Sequence, residues 1–369
     1  MNQLFRWDQM GLFLLALAAG ILPFAVPEVC AAALREGLTL CSGPLLLSLF
    51  PFLVVSRLLI QCPESDLLAL PFRLAAWGIG IRTPCAARVL CIGFLGGFAP
   101  AASAAAQAVR TGQLTAEEAD ALLPACICSG PSFVVLTVGQ SLLGSAELGV
   151  LLFASQITAN YLTAALLNRF AGVHSVKPGS AAPASPAPPR LDEILADAAI
   201  TYCKLCGFIL FFRLLAAGAG ALLPAGAGTL CAVLLEVCSG CDLASRTGRL
   251  GSLLCCAALS VQGLSVLLQV RTICPPEMTL RPLYWARMLH LPLSLALFYL
   301  LLPGGEADVF STLPARVLLM RRVPPDCALL VFAVCCMAAC TLRSGIRQVE
   351  QKQRARNAGG CCINSKTLL

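Results

Sequence analysis

Long, almost uncharged stretches alternate with short polar ones along this chain. Thr39–Gln61, Val89–Val109, Ala121–Ala146, Leu148–Asn168, Leu214–Leu235 and Leu250–Val270 hold one charge between them, Arg57. Each reaches the roughly 20 apolar residues that a helix needs to cross a bilayer. Gly11–Pro27, Met288–Gly305 and Cys327–Leu342 are shorter spans of the same kind. The pattern predicts an all-α polytopic membrane protein with about eight to ten membrane segments, some of them re-entrant.

Four of the apolar stretches are interrupted. Gly96-Gly97-Phe98-Ala99-Pro100 and Cys128-Ser129-Gly130-Pro131-Ser132 break the first pair, Glu236-Val237-Cys238-Ser239-Gly240 and Gln262-Gly263-Leu264-Ser265 the second. Glycine and proline free backbone groups that lipid cannot satisfy, so such breaks belong inside protein or beside a hydrated cavity. A carboxylate at membrane depth costs about 2.5–3.5 kcal/mol on insertion scales. Glu236 therefore serves a site or a partner, and Lys204 and Arg213 are the cations within reach along the chain. Gly97 permits either a break or a close helix contact, and Pro100 favours the break. Ser129 and Ser132 bond either a solute or the carbonyls that Pro131 leaves free. Gln156 and Asn160 share a helix face and fit a role as glue between helices.

Order along the chain repeats. A span, two broken segments and a span occur at 36–60, 88–109, 121–143 and 147–169, and again at 194–223, 228–244, 250–270 and 282–303. Gly97 matches Gly240, and Gly130 matches Gly263. Paired repeats with interrupted helices point to a binding site near the bilayer midplane. The expected units are an N-terminal transmembrane helix over 1–30, repeats over 31–170 and 191–305, a Pro/Ala/Ser-rich linker over 171–190, a loop and last helix over 306–343, and a basic cytoplasmic tail over 344–369. Residues 63–87 read as an interfacial helix or a loop, and 271–287 as a polar loop. Thr115 followed by Glu117 and Glu118 starts a helix near Ala116.

Composition excludes a soluble enzyme. The chain is 58% hydrophobic and 12% charged, against roughly 45–50% and 25% for soluble domains. Its net charge of +7 sits in loops and the tail, as orientation in a membrane requires, so no nucleic-acid partner is expected. Two histidines are too few for an imidazole-based metal centre or triad. Most of the 21 cysteines lie within apolar spans, where a free thiol packs as a small, weakly polar group. No cofactor or metal is expected.

In order, REGLTLCSGPLLLSLFPFLVVSRLL, GGFAPAASAAAQAVRTGQLTAEEADALLPACICSGPSFVV, LLEVCSGCDLA and LSVQGLSVLLQV resemble the YlbJ-type sporulation integral membrane proteins. Those carry the nucleoside-recognition, or Gate, domain also met in spore maturation proteins and concentrative nucleoside transporters. The chain has Phe98-Ala99-Pro100 where the family carries Tyr-Pro, and Gly130 where it carries Asn near Pro131. The resemblance implies a cell or spore membrane location and a part in spore cortex formation or maturation.

Three functions compete. The first is a permease-like protein for a small polar solute. Glu236 would supply charge or take up a proton, Ser129, Ser132, Ser239, Gln262 and Ser265 hydrogen bonds, and Gly97, Gly130, Gly240 and Gly263 open backbone. The second is a non-transporting scaffold that recruits spore-envelope proteins through the basic tail and the linker; the expected protein partners are further copies of the chain, in a homo-oligomer, or other sporulation membrane proteins. The third is a membrane thiol-redox enzyme built on Cys203–Cys206 and Cys238–Cys241, against which stands the chance pairing of so many cysteines.

Overall fold

The computed structural model describes residues 2–61, 65–171 and 190–302. The linker over 171–190, apart from its two end residues, and the expected last span and basic tail lie outside the described residues. Those described are helical, with no strand, and four of the helical runs are long and apolar enough to cross a membrane. The protein is an all-α, multi-pass membrane protein.

Helix α1 (Asn2–Ala25) leads into α2 (Pro27–Ser42) and α3 (Pro44–Gln61). Proline opens both α2 and α3, where its missing N–H has no helical partner to lose. Two short helices follow, α4 (Ser65–Leu68) and α5 (Leu70–Gly78), with Leu67, Leu74 and Trp77 exposed. That segment is largely helical rather than a loop. Then come α6 (Pro84–Gly96), α7 (Phe98–Arg110), α8 (Ala116–Cys126), a π-helical segment (Ser132–Leu142) and α9 (Ala146–Ala171). Thr115 and Glu118 close a reciprocal capping box at the start of α8. The second half holds α10 (Leu191–Leu222), α11 (Ala225–Leu235), α12 (Val237–Ser245), α13 (Gly251–Val261), α14 (Gly263–Ile273) and α15 (Arg281–Leu301).

Two of the predicted spans turn back on themselves. Val89–Val109 reads as one crossing, but α6 and α7 fold into a hairpin: a Cβ placed on Gly93 would lie 3.2 Å from that of Ala101, residues that a straight helix would hold about 12 Å apart. Leu214–Leu235 likewise divides between the end of α10 and the first arm of a second hairpin, α11–α12, where a Cβ on Gly240 would meet Val233 Cα at 2.8 Å. Arms of 13, 13, 11 and 9 residues are too short for a membrane that needs about 20. Both hairpins dip in and return.

Four helical runs are long and apolar enough to cross: α2 with the start of α3, and α9, in the first half, and α10 and the run through α13 and α14 in the second. Contacts set elements of the two halves antiparallel to each other. Rod α2–α3 runs antiparallel to α10, with Arg57–Asp197 at 2.7 Å near one end and Glu36–Arg213 at 2.9 Å near the other. Between them the Tyr202 hydroxyl donates to the Cys41 carbonyl. These ion pairs are reciprocal: each rod supplies one acid and one arginine. Helices α9 and α15 also pack antiparallel, joined through Asn160–Arg287 and Gln156–His290. The tips of the two hairpins, at Gly96–Phe98 and Glu236–Val237, line the same cleft.

One interhalf contact pins a turn. Asp120 of α8, 6% exposed, accepts from Thr279 N–H at 2.8 Å, Thr279 Oγ1 at 2.7 Å and Leu280 N–H at 3.2 Å. Leu280 is left-handed, at φ 57, a conformation unfavourable for a leucine. Asp120→Ala strands those donors and is expected to cost about 2–3 kcal/mol, since hydrogen bonds to charged groups are worth about 1.5–3 each. Thermal denaturation in detergent measures it, and an unchanged melting temperature would show that the turn holds without its carboxylate.

Candidate functional site

Four helix breaks, two from each half, meet in abutting pairs. At Gly97 the chain reverses at φ 81, a region open to glycine and costly for other residues. Pro100 sits in the first turn of α7, where proline is tolerated. The α7 arm then runs Ala101-Ala102-Ser103-Ala104-Ala105-Ala106, all buried, because small side chains let neighbouring helices close around it. Facing Gly97 is the second break, Ile127 to Pro131. A Cβ on Gly97 would lie 2.6 Å from Gly130 N, so the tip of the first hairpin rests on the gap in the first broken helix.

In the second half the hairpin tip is Glu236, a single extended residue at φ −151 and ψ 126. Its carboxylate caps α12, accepting from Cys238 N–H at 2.8 Å, Ser239 N–H at 2.7 Å and Ser239 Oγ at 2.9 Å. An anion at a helix N-terminus meets the positive end of the peptide dipoles. Facing it is the last break, where Gln262 and Gly263 are both left-handed, at φ 63 and 71. A Cβ on Gly263 would lie 2.9 Å from Glu236 N and from the Leu235 carbonyl. Again hairpin tip and broken helix touch.

The first pair and the Glu236 tip of the second border one small, half-open cleft. Gly96, Phe98, Ser129, Gly130, Ser132 and Phe133 line it from the first half, Glu236, Val237, Cys238, Val266 and Gln269 from the second, and Leu45, Leu49 and Ile209 from the α3–α10 side. Helix starts at Phe98, Ser132 and Val237 lie on its wall. Gln269 donates from Nε2 to Ser265 Oγ at 2.8 Å, while its Oε1 has no partner although the residue is 1% exposed. An orphaned buried amide oxygen costs about 1–3 kcal/mol, which a bound donor would relieve. The chemistry is mixed: apolar and aromatic walls, acceptors at Glu236 and Gln269, and hydroxyls at Ser129 and Ser132.

The structure distributes the sequence candidates unevenly. Glu236, Ser129, Ser132 and Gly130 line the cavity, with Gly97 against Gly130. Ser239 and Ser265 stand one step behind, holding Glu236 and Gln269. Gln262 is buried with an unpartnered Oε1 but forms the hinge rather than the wall. Gly240 breaks nothing: it lies inside α12 and lets that arm press on Val233. The counterpart of Gly97 is Glu236, because a carboxylate cap can end one helix and start the next without a glycine. Neither cation expected beside Glu236 forms an ion pair with it, although Arg213 lies within electrostatic reach of its carboxylate. Arg213 pairs with Glu36 and Lys204 is exposed. Cys203, Cys206, Cys238 and Cys241 form no disulfide, and no group of metal-binding side chains exists among the described residues.

Sequence reasoning overlooked Gln269, Phe98, Phe133 and Arg287. Gln269 stands four residues after Ser265 on α14, a spacing that marks a shared face. Arg287, at the end of the stretch that reads as a polar loop, lies inside α15, buried to 5% exposure. Comparison with protein-family models, curated proteins and solved structures finds no match. The fold is that of an all-α membrane protein in which interrupted helices from both halves of the chain border one cleft.

Proposed function

We propose that this protein is a membrane carrier that takes a small, uncharged polar solute with a planar face, a nucleoside-like molecule, from the cavity between its hairpin tips. One observation carries the reading: both halves of the chain bring a hairpin tip and an interrupted helix to the same cleft, where Gln269 Oε1 is left without a donor. Repeats with interrupted helices place such a site near the midplane, reachable from either face by movement of one repeat. Phe98 and Phe133 offer faces for a ring, and Ser129, Ser132, Glu236 and Gln269 offer hydrogen bonds for its edge.

Charge supports an orientation. Arg73, Arg82, Arg110, Arg169, Arg190, Arg271 and Arg281 flank the membrane on the face where α3 ends, and Arg246 and Arg249 on the other. The arginine-rich face is the cytoplasmic one under the positive-inside rule. The resemblance to sporulation membrane proteins adds that the carrier works in spore cortex formation or maturation.

Purified protein in liposomes, offered a panel of labelled nucleosides, amino acids and dicarboxylates, tests this. Uptake of a nucleoside-like member that saturates and is lost in Gln269→Leu is expected. Absence of uptake across the panel, in proteoliposomes shown to hold folded protein, would overturn it.

A further inference from the structure

Arg287 is a buried cation with no carboxylate partner among the described ion pairs. It is 5% exposed, and burying an unpaired charge is costly. Its hydrogen bonds show what holds it. One terminal nitrogen, Nη2, donates to the Ile127 carbonyl at 3.2 Å and to Asn160 Oδ1 at 3.0 Å; the other, Nη1, donates to the Ser260 carbonyl at 3.4 Å. Ile127 is the residue at which α8 stops, and Ser260 lies in the last turn of α13, just before Gln262. Both carbonyls are among those that a terminating helix leaves without an N–H.

The electrostatics close without an acid. A helix C-terminus carries roughly half a negative charge. Two of them, α8 and α13, converge on one guanidinium, so their sum is near the charge that Arg287 brings. Helix breaks in the two halves thus both supply acceptors to the guanidinium, whose Nε has no partner. Asn160 strengthens the junction, donating from Nδ2 to the same Ile127 carbonyl at 3.2 Å. Gln156, one turn away, donates to Ser260 Oγ at 2.9 Å. The junction lies on the α9–α15 side of the breaks, while the cavity opens on α3 and α10.

We propose that Arg287 is a positioning residue that couples the two broken helices, so that displacement of the break in one repeat is transmitted to the break in the other. The proposal rests on the carrier reading for its purpose, since a carrier needs the breaks of its two halves to move in concert. Its geometry stands apart from any solute. A planar guanidinium reaches two carbonyls on two helices; a lysine ammonium keeps the charge but is a single point of attachment.

Native thiols report each side. Cys128 follows Ile127 in the first break, and Cys256 lies one turn before Ser260; both are buried. Residue-resolved labelling with N-ethylmaleimide, read by mass spectrometry, gives the opening rate at each. Gly97→Ala pushes on the first break through the 2.6 Å approach to Gly130. With Arg287 present, it is expected to speed labelling about tenfold at both Cys128 and Cys256, the scale of an ordinary coupling. On the Arg287→Lys background only Cys128 should respond, and Arg287→Gln, which leaves no buried charge, should behave the same way. An equal response of Cys256 with and without Arg287, or no response at Cys256 in either, would overturn the coupling. So would failure of both Arg287 variants to fold, checked by size-exclusion chromatography and melting temperature, since Arg287 would then be a folding residue. The labelling requires no solute, so an empty transport panel defeats the carrier reading alone, and an uncoupled Cys256 defeats this one alone.

Discussion

Glu236→Gln is expected to lower stability by about 2–4 kcal/mol and to abolish solute binding in the cavity. The carboxylate accepts from two backbone N–H groups and one hydroxyl, and hydrogen bonds to a charged group are worth about 1.5–3 kcal/mol each. Glutamine has one acceptor oxygen. Its amide nitrogen would face Cys238 N–H or the Ser239 donors, so at least one buried N–H or hydroxyl loses its partner. The negative charge opposing the dipole of α12 is lost as well. Because the same residue forms the hairpin tip and the cavity wall, the loosened tip and the lost affinity should appear together. Melting of the detergent-solubilised protein and equilibrium binding measure the two. A variant that melts with the native protein and still binds would show that Glu236 neither caps nor recognises.

Gly97→Ala is expected to cost about 2–4 kcal/mol, whereas Gly130→Ala, at the partner break, should cost much less. Left-handed backbone is worth roughly 1–2 kcal/mol against a residue with a Cβ, and overpacking a closed contact adds about 1–3. Gly97 incurs both, with φ 81 and a Cβ 2.6 Å from Gly130 N. A Cβ on Gly130 would find its nearest neighbour, the Gly96 carbonyl oxygen, at 3.4 Å, an ordinary contact. Two glycines that look alike in sequence are thus separated by which of them turns the chain. Paired melting curves test this, and equal losses would deny that the hairpin tip rests on the broken helix.

Apolar length and Gly-Pro punctuation made the membrane class, the two halves and the four breaks legible. The reversal at Gly97 was not, because hydropathy records how deep a residue lies and is silent on whether the chain continues or returns. Val89–Val109 has the same apolar character either way. Glu236 drew notice as a charge out of place, but its first partners are the N–H groups two and three residues on, a local cap that hid the missing glycine at this break. Pairing Glu236 with Lys204 or Arg213 followed from proximity along the chain; in the fold Arg213 meets Glu36, which only the antiparallel rods bring near. Arg287 was hidden for a related reason. An arginine reads as solvent-facing unless one knows that two helices end against it, and that knowledge is tertiary.

The two hairpin tips also differ in kind. One turns on a glycine and the other on an acid, so whatever sits between them meets bare backbone at one end and a carboxylate at the other.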